Sequence, residues 1–283
     1  MNKRALKNQY KVQNGSAAEP YGTWKPAGFA LALLLPVRLG IARGVLSRFL
    51  RTIWAGYLPS IVDTSVRGIR YRLKMTGNVT EQKILLNSKL YDGEELAHLK
   101  KACTNGVFVD IGANIGYYSL VLAESGARKV VAIEPHPEAI ERLEFNVEIN
   151  NFSDKIKILP CAVGESGVGT LHGGESLGAS TLRVPSDDVG VEMIQVQRRP
   201  LRDLLNDAGV DRIDGLKIDI EGYEHEALAP FFRAAPEALF PEVIVIETCH
   251  SSGEESDAVK LLRKKGYVPE LKNRSNTILR RPS

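Results

Sequence analysis

The stretch FVDIGANIGYYSLVLA, from Phe108 to Ala123, joins a short hydrophobic run to a helical pattern through a turn that contains two glycines. The run VFVDI predicts a buried strand, and the apolar spacing after the turn predicts a helix that ends near Gly126. Gly112 and Gly116 allow a ligand to approach the backbone closely, because glycine has no Cβ atom. The stretch therefore predicts a strand, a turn and a helix that surround a ligand, as in nucleotide-binding α/β domains.

Strands and helices alternate along the following sequence in the same way. Further strands are predicted at GIRYRLKM, KVVAIEP, KIKILPCAV, EMIQVQ, GLKIDIEG, EVIVIET, YVPEL and NTILRR, with helices between most of them. This alternation predicts an α/β fold with a mostly parallel sheet that helices cover on both faces. The ligand crevice of such a sheet lies at the carboxyl ends of its strands. Five acidic residues end apolar strands and are expected there: Asp110, Glu134, Asp219, Glu221 and Glu247.

Composition divides the chain of 283 residues into three parts. Residues 1–26 are polar and lack periodicity, which predicts a disordered leader. Residues 27–67 are predicted to form a basic amphipathic helical extension, and residues 68–283 are predicted to form the α/β domain. Residues 1–58 carry nine basic side chains and one acidic side chain, whereas the whole chain has a net charge of only +3. The body of the protein is therefore mildly acidic, which argues against a nucleic-acid partner.

The basic extension contains a predicted amphipathic helix from Val37 to Leu58, with arginines on one side and apolar side chains opposite. Two interpretations stay open. Residues 27–58 lie on an anionic membrane surface, or the helix covers the core or a second subunit, which is the more common use of such helices. The longest uncharged apolar run, from Ala27 to Val37, is much shorter than the ~20 residues that span a bilayer.

Three cysteines without paired spacing argue against a disulfide framework or a zinc ribbon. This cysteine usage is typical of a reducing compartment, so we expect a cytoplasmic protein. A peripheral position on the inner membrane surface follows if the basic helix binds lipid.

The spacing of Asp110, Gly112, Asn114 and Gly116 distinguishes between two nucleotide ligands. It lacks the third glycine of the dinucleotide fingerprint, and Asp110 would repel a pyrophosphate. A ligand with an ammonium and a sulfonium group would not be repelled, which favours S-adenosylmethionine over NAD. Glu134, at the end of the next strand, can accept hydrogen bonds from both hydroxyls of a ribose. The alternative roles are a helix-capping carboxylate for Asp110 and a solvated strand end for Glu134.

The segments FVDIGANIGYYS, AIEPHPEAIERLEFNV, CAVGE and LKIDIEGYEHEAL resemble the FkbM-type family of S-adenosylmethionine-dependent class I methyltransferases. The resemblance implies a doubly wound, mostly parallel, seven-stranded Rossmann-like sheet and O-methylation of a hydroxyl on a sugar, glycolipid or secondary metabolite. It also implies that Asp219 and Glu221 lie beside the transferable methyl group. The cofactor contacts that it implies are Asp110, Gly112, Asn114 and Gly116 at the methionine part, Glu134 at the ribose, and Cys161 and Ala162 at the adenine.

Methylation of an alcohol needs a base, because a neutral hydroxyl is a poor nucleophile. Asp219 is the first candidate for the base or for a residue that orients the acceptor. Glu221 is expected one pleat further on the same side, so that the two carboxylates share a proton or bind a divalent cation. Two carboxylates without a third oxygen ligand make a poor metal site, so no metal is expected. His250 is a second candidate base, because histidine titrates near neutral pH.

Three other functions remain as alternatives: a class I methyltransferase of RNA or protein, an NAD-dependent oxidoreductase, and a non-catalytic protein that binds the cofactor on the same fold. The acceptor is expected to be a small molecule or a glycan. Its pocket is predicted to include the N-terminal segment and the Gly/Ser-rich loop from His172 to Gly190. Neither segment carries a motif that identifies the acceptor.

Overall fold

A computed structural model describes residues 19–28, 60–75, 79–86, 92–173, 180–182, 193–248 and 255–282 of the chain. The predicted helix from Val37 to Leu58, most of the predicted leader and His250 lie outside these residues. Most of the Gly/Ser-rich loop from His172 to Gly190 does so as well. None of the helices in the described ranges combines the length and the apolar character that crossing a membrane requires.

The strands, in chain order, are β1 (Ile61–Val66), β2 (Ile69–Lys74), β3 (Val107–Ile111), β4 (Lys129–Ile133), β5 (Ile156–Leu159), β6 (Ala162–Val163), β7 (Gly167–His172), β8 (Met193–Arg199), β9 (Gly215–Ile218), β10 (Val243–Glu247), β11 (Val268–Lys272) and β12 (Asn276–Arg280). The helices are α1 (Val79–Leu86), α2 (Gly93–Cys103), α3 (Tyr117–Glu124), α4 (Pro137–Ile149), α5 (Leu201–Ala208), α6 (Glu224–Ala234) and α7 (Asp257–Lys264). A short 3₁₀ helix, Glu237–Leu239, precedes β10.

The central sheet has seven strands in the order β11-β12-β10-β9-β3-β4-β5. The five strands from β10 to β5 are parallel, and β12 runs antiparallel to both of its neighbours. The prediction of a seven-stranded, mostly parallel α/β sheet is confirmed. The order of the strands changes direction between β3 and β9, which is where ligands bind in sheets of this kind.

Helices cover both faces of this sheet, which explains why β3, β4 and β10 are mostly apolar and buried. On β3, Phe108 packs into one core and Val109 into the other, because successive side chains point to opposite faces. The first core receives Leu99 of α2, Leu120 of α3 and Leu143 of α4. The second core receives the apolar faces of α5, α6 and α7, with Leu204, Phe231 and Leu262.

Two smaller sheets lie outside the central one. A three-stranded sheet has the order β6-β8-β7, and its strands follow β5 and precede α5 in the sequence. The sequence patterns did not predict β7. Strands β1 and β2 form an antiparallel hairpin. Its first strand falls within the predicted helical extension of residues 27–67, so the helical assignment is wrong for Ile61–Val66. The other described part of that extension, residues 27–28, is too short to test the assignment.

The end of the predicted leader is bound to this hairpin. The buried guanidinium of Arg72 pairs with Asp63 at 2.8 Å and donates hydrogen bonds to the carbonyl oxygens of Glu19 and Pro20. Asp63 also accepts hydrogen bonds from the backbone amides of Gly22 and Trp24. Residues 19–24 are therefore held in place rather than disordered, because buried ionised groups need these hydrogen-bond partners.

Candidate active site

A cavity of about 260 Å³ opens at the carboxyl ends of the central strands, where the sequence predicts the ligand crevice. Seven of the predicted site residues line it: Gly112, Asn114, Glu134, Cys161, Ala162, Asp219 and Glu221. Glu247, at the end of β10, lines it too. The cavity also has lining residues that the sequence patterns did not single out: Thr80 and Lys83 of α1, Asp92 before α2, Tyr117 and Tyr118 of α3, Lys217 of β9 and Tyr223 before α6.

The turn after β3 is built around Gly112. Its φ angle is 77°, and a Cβ atom on Gly112 would lie 2.0 Å from the carbonyl oxygen of Asp219. Only glycine fits there, because the turn and the end of β9 approach each other at backbone distance. The amides of Gly112 and Ala113 donate to the carbonyl oxygen of Ile133, at 3.0 and 3.1 Å. The turn is thereby fixed to the end of β4.

Glu134 is held by backbone groups from two sides. Its two carboxylate oxygens accept hydrogen bonds from the amide of Asn114, at 2.7 Å, and from the amide of His136, at 2.9 Å. Burial raises the pKa of Glu134 to about 7, although these two hydrogen bonds favour the ionised form. The carboxyl group is therefore oriented toward the glycine-containing turn before any ligand binds.

Asp110 and Gly116 are not among the residues that line the cavity. Asp110 is 1% exposed, and its Oδ2 atom accepts hydrogen bonds from the amide and the hydroxyl of Ser119 in the first turn of α3. A Cβ atom on Gly116 would lie 2.4 Å from Leu143, so this glycine allows α3 and α4 to pack. Both residues have a clear role in the fold, and their contact with the methionine part of the cofactor stays a prediction.

Lys217 lies at the centre of the site. Its Nζ atom donates to the carbonyl oxygen of Gly112 at 3.0 Å and lies 3.3 Å from Asp219 and 3.9 Å from Asp110. Burial alone would lower the pKa of Lys217, but the carboxylates of Asp219 and Asp110 outweigh this effect and raise it. Lys217 is therefore an ammonium ion inside the fold. The signal for it was a charged residue within the apolar run GLKIDI.

Asp219, Glu221 and Glu247 bring carboxylate oxygens within 4.8 Å of one another. The expected position of Glu221 one pleat beyond Asp219 is wrong, because β9 ends at Ile218 and Glu221 has a left-handed φ angle of 54° in the turn before α6. Gly222, with a φ angle of 90°, completes this turn. Glu247 provides the third carboxylate that the predicted pair lacked, so the cluster has the oxygen ligands that a divalent cation prefers. The ammonium of Lys217 already supplies positive charge beside Asp219.

The other polar residues near the site have structural or surface positions. Nδ1 of His136 accepts a hydrogen bond from the amide of Glu138 and caps α4, and His225 is exposed on α6. Burial raises the pKa of the Cys161 thiol to about 11, so this cysteine stays protonated at neutral pH. Glu224 accepts hydrogen bonds from the amides of Ile220 and Gly222, which closes the turn after β9.

Two relatives with similarity over more than half of the chain are named methyltransferases. Methyltransferase sdnD of Sordaria araneosa is 30% identical over 198 residues, which cover 58% of this chain and 74% of that protein. Methyltransferase 1 of Beauveria bassiana (strain ARSEF 2860) is 26% identical over 180 residues, which cover 56% of this chain and 71% of that protein.

A similar solved structure is that of methyltransferase FkbM from Methylobacillus flagellatus KT, with 26% identity and a TM-score of 0.43. The match covers 61% of this chain but 42% of that one, so the chain spans less than half of that structure's length. The family described as the methyltransferase FkbM domain matches residues 110–269, from Asp110 through the carboxylate cluster to β11. The protein belongs to the FkbM family of methyltransferases.

Proposed function

We propose that this methyltransferase uses S-adenosylmethionine and methylates a hydroxyl group of a sugar, a glycolipid or a secondary metabolite. The observation that carries the proposal is the charge of the cavity. Among the described residues that line it, five carry carboxylates and two are lysines: Asp92, Glu134, Asp219, Glu221 and Glu247, against Lys83 and Lys217. A surplus of negative charge suits a cationic ligand and disfavours a pyrophosphate.

The lining residues also fit the parts of S-adenosylmethionine. The backbone at Gly112 lines the cavity, where a methionine group can approach it closely because glycine has no Cβ atom. The oriented carboxyl group of Glu134 suits a ribose, since its oxygens keep further lone pairs for hydroxyl donors. Cys161 and Ala162 offer an apolar border for the adenine ring. These residues are proposed as the cofactor site together with Asp110, Asn114 and Gly116.

When bound, S-adenosylmethionine supplies an electrophilic methyl group on its sulfonium sulfur. The protein holds the acceptor oxygen in line with that methyl group and accepts the proton of the acceptor hydroxyl. Asp219 and Glu221 are proposed to hold the acceptor, because both carboxylates face the cavity at the end of β9. His250 lies outside the described residues, and its role as a base stays a prediction.

Calorimetry with the full chain tests the cofactor assignment. We expect S-adenosylmethionine and S-adenosylhomocysteine to bind and NAD not to bind. Asp219→Asn is expected to reduce turnover on a set of methyl glycosides and polyketide alcohols. Asp154→Asn, which removes an exposed carboxylate remote from the cavity, is the matched control. Binding of NAD alone would contradict the proposed function. Equal turnover of wild type, Asp219→Asn and His250→Ala would contradict the proposed roles of these two residues.

Residues 27–58 are proposed to contact an anionic membrane surface or a second subunit. Replacement of Arg43, Arg48 and Arg51 by glutamate reverses the charge of the predicted basic face. Loss of binding to vesicles with phosphatidylserine would support the membrane contact. A change from dimer to monomer in analytical ultracentrifugation, without vesicle binding by the wild type, would support the second subunit instead.

A further inference from the structure

Asp92 has an unusual conformation at the start of α2. It is the residue that precedes the helix, where an aspartate usually accepts a hydrogen bond from an amide of the first turn. Its carboxylate makes no such bond. Instead, Oδ2 accepts a hydrogen bond of 2.8 Å from the hydroxyl of Tyr118, a residue of α3 that lines the cavity. The side chain of Asp92 thus faces the active-site cavity rather than its own helix.

The backbone of Asp92 is also in a region that residues with a side chain rarely adopt. Its φ and ψ angles are 47° and 40°, in the left-handed region. A left-handed non-glycine residue and an unused capping carboxylate both destabilise a helix start. Such features persist where surrounding contacts enforce them, and they concentrate at functional sites.

We propose that Asp92 is the catalytic base that accepts the proton of the incoming hydroxyl, with Tyr118 orienting its carboxylate. This assignment rests on the proposed function of the cavity as a site of O-methylation. In the reaction, a lone pair of the acceptor oxygen forms the new O–CH₃ bond. The C–S bond of the donor breaks and leaves its electron pair on sulfur. The acceptor proton moves to a carboxylate oxygen of Asp92 and from there to solvent.

The surroundings of Asp92 favour proton transfer near neutral pH. Burial raises the pKa of Asp92 to about 6. The hydrogen bond from Tyr118 and the charges of Lys217 and Lys83 oppose this rise, and the nearby carboxylate of Glu95 adds to it. A base with a pKa near the working pH combines the ionised state with enough proton affinity to act.

Asp219 is less suited to accept the proton. The ammonium of Lys217 lies 3.3 Å from its Oδ2 atom, and so close a cation stabilises the ionised carboxylate and weakens it as a base. The same ammonium lies 5.5 Å from the centre of the Tyr118 ring. Lys217 therefore lies close both to Asp219 and to Tyr118, which donates the hydrogen bond to Asp92. Asp219 then orients the acceptor, and Asp92 removes its proton.

The test begins with a measurement that needs no acceptor. In the full chain labelled with ¹³C at aspartate carboxyl groups, we expect one resonance to titrate near pH 6. It should be absent from Asp92→Asn and present in Glu94→Gln, which removes an exposed carboxylate from the same helix turn. Tyr118→Phe should move this titration to higher pH, because the ionised carboxylate loses a hydrogen bond.

Donor binding and turnover complete the test. Calorimetry should give Asp92→Asn an affinity for S-adenosylmethionine within about twofold of the wild type. Its turnover on the set of methyl glycosides and polyketide alcohols should fall by about 10²- to 10⁴-fold, and the acidic limb of the pH profile should disappear. Glu94→Gln should keep both the rate and the profile.

Three results would overturn the proposal. They are the absence of an aspartate that titrates between pH 5 and 7, a loss of donor affinity of about tenfold or more in Asp92→Asn, or an unchanged pH profile in that variant. A tenfold loss would make Asp92 an anchor for the donor. If donor binding is normal but no acceptor is methylated, the hydroxyl acceptor of the proposed function is wrong. In that case the base role of Asp92 fails together with the hydroxyl acceptor. Methylation by the wild type with an unchanged pH profile in Asp92→Asn would instead contradict the role of Asp92 alone.

Discussion

Lys217 Nζ lies 3.0 Å from the carbonyl oxygen of Gly112, so an ammonium ion of β9 is bonded to the turn after β3. The same ammonium lies between the carboxylates of Asp219 and Asp110. An internal cation thus joins the two strand ends that form the centre of the cavity. Without it, the carboxylate of Asp110, which is 1% exposed, would have no counter-charge among the residues that the structure describes.

We expect Lys217→Met to lower the free energy of unfolding by about 3 to 5 kcal/mol, the usual cost of leaving a buried charge unpaired. Urea denaturation at neutral pH measures the change. Lys260→Met is the matched control, since it removes an exposed ammonium paired with Asp257 and should cost no more than about 1 kcal/mol. Similar losses in the two variants would show that Lys217 has no special role in the fold.

The turn at Gly112 should reject any side chain. In Gly112→Ala the new Cβ would lie 2.0 Å from the carbonyl oxygen of Asp219, in addition to the strain of a positive φ angle. Gly126→Ala provides the control, because Gly126 also has a positive φ angle but no atom within 4 Å of a new Cβ.

We therefore expect thermal unfolding to show a loss of about 1 kcal/mol for Gly126→Ala and a clearly larger loss for Gly112→Ala. Gly112→Ala should also abolish binding of S-adenosylmethionine in calorimetry, whereas Gly126→Ala should bind it normally. Equal stability of the two variants would contradict the close approach of the Gly112 turn to the carbonyl oxygen of Asp219.

Glu134 should make stability depend on pH. Its pKa is raised by burial to about 7, above the ordinary value of 4.5, so the folded protein binds more protons than the unfolded chain between these values. The contribution of this group to stability is therefore fully present below pH 4.5 and is lost as the pH rises to 7.

Glu134→Gln removes this titration. As the pH rises from 5 to 8, we expect the free energy of unfolding of the wild type to fall relative to that of Glu134→Gln. The fall should be at most about 1.4 kcal/mol per pH unit, and it should end above the pKa of the folded state, near 7. Urea denaturation at the two pH values measures the difference, with the exposed Glu148→Gln as the control. A constant difference between wild type and Glu134→Gln would refute the raised pKa.

Most of the central sheet was predictable, because strands that are buried on both faces form continuous apolar runs such as VFVDI and EVIVIE. The strand β1 was missed, since the buried Asp63 interrupts its apolar pattern. Its partner Arg72 lies nine residues further along the chain, and no local pattern shows that the two charges cancel. β7 was missed because Gly167 and Gly169 weaken its alternation.

The position of a site residue could be predicted where its residue type and sequence context indicate one role. It could not be predicted where the same context is compatible with several roles. Glu134 follows a strand and lines the cavity, as expected. Glu221 also lines the cavity, but not through the strand alternation that was predicted. Strand β9 ends at Ile218, and Glu221 lies in the turn that follows. An aspartate before a helix is usually a cap, so Asp92 gave no sign that its carboxylate turns to Tyr118. The role of Lys217 depends on neighbours from β3, which are distant in sequence.

The bonds that join residues 19–24 to the β1–β2 hairpin determine where the protein can be shortened. Arg72 and Asp63 satisfy several of their hydrogen bonds with the backbone between Glu19 and Trp24. A fragment that starts after Trp24 would leave these charged groups buried with too few partners, even though the matched family region begins only at Asp110. The smallest stable fragment should therefore keep Glu19, far outside the limits that family boundaries suggest.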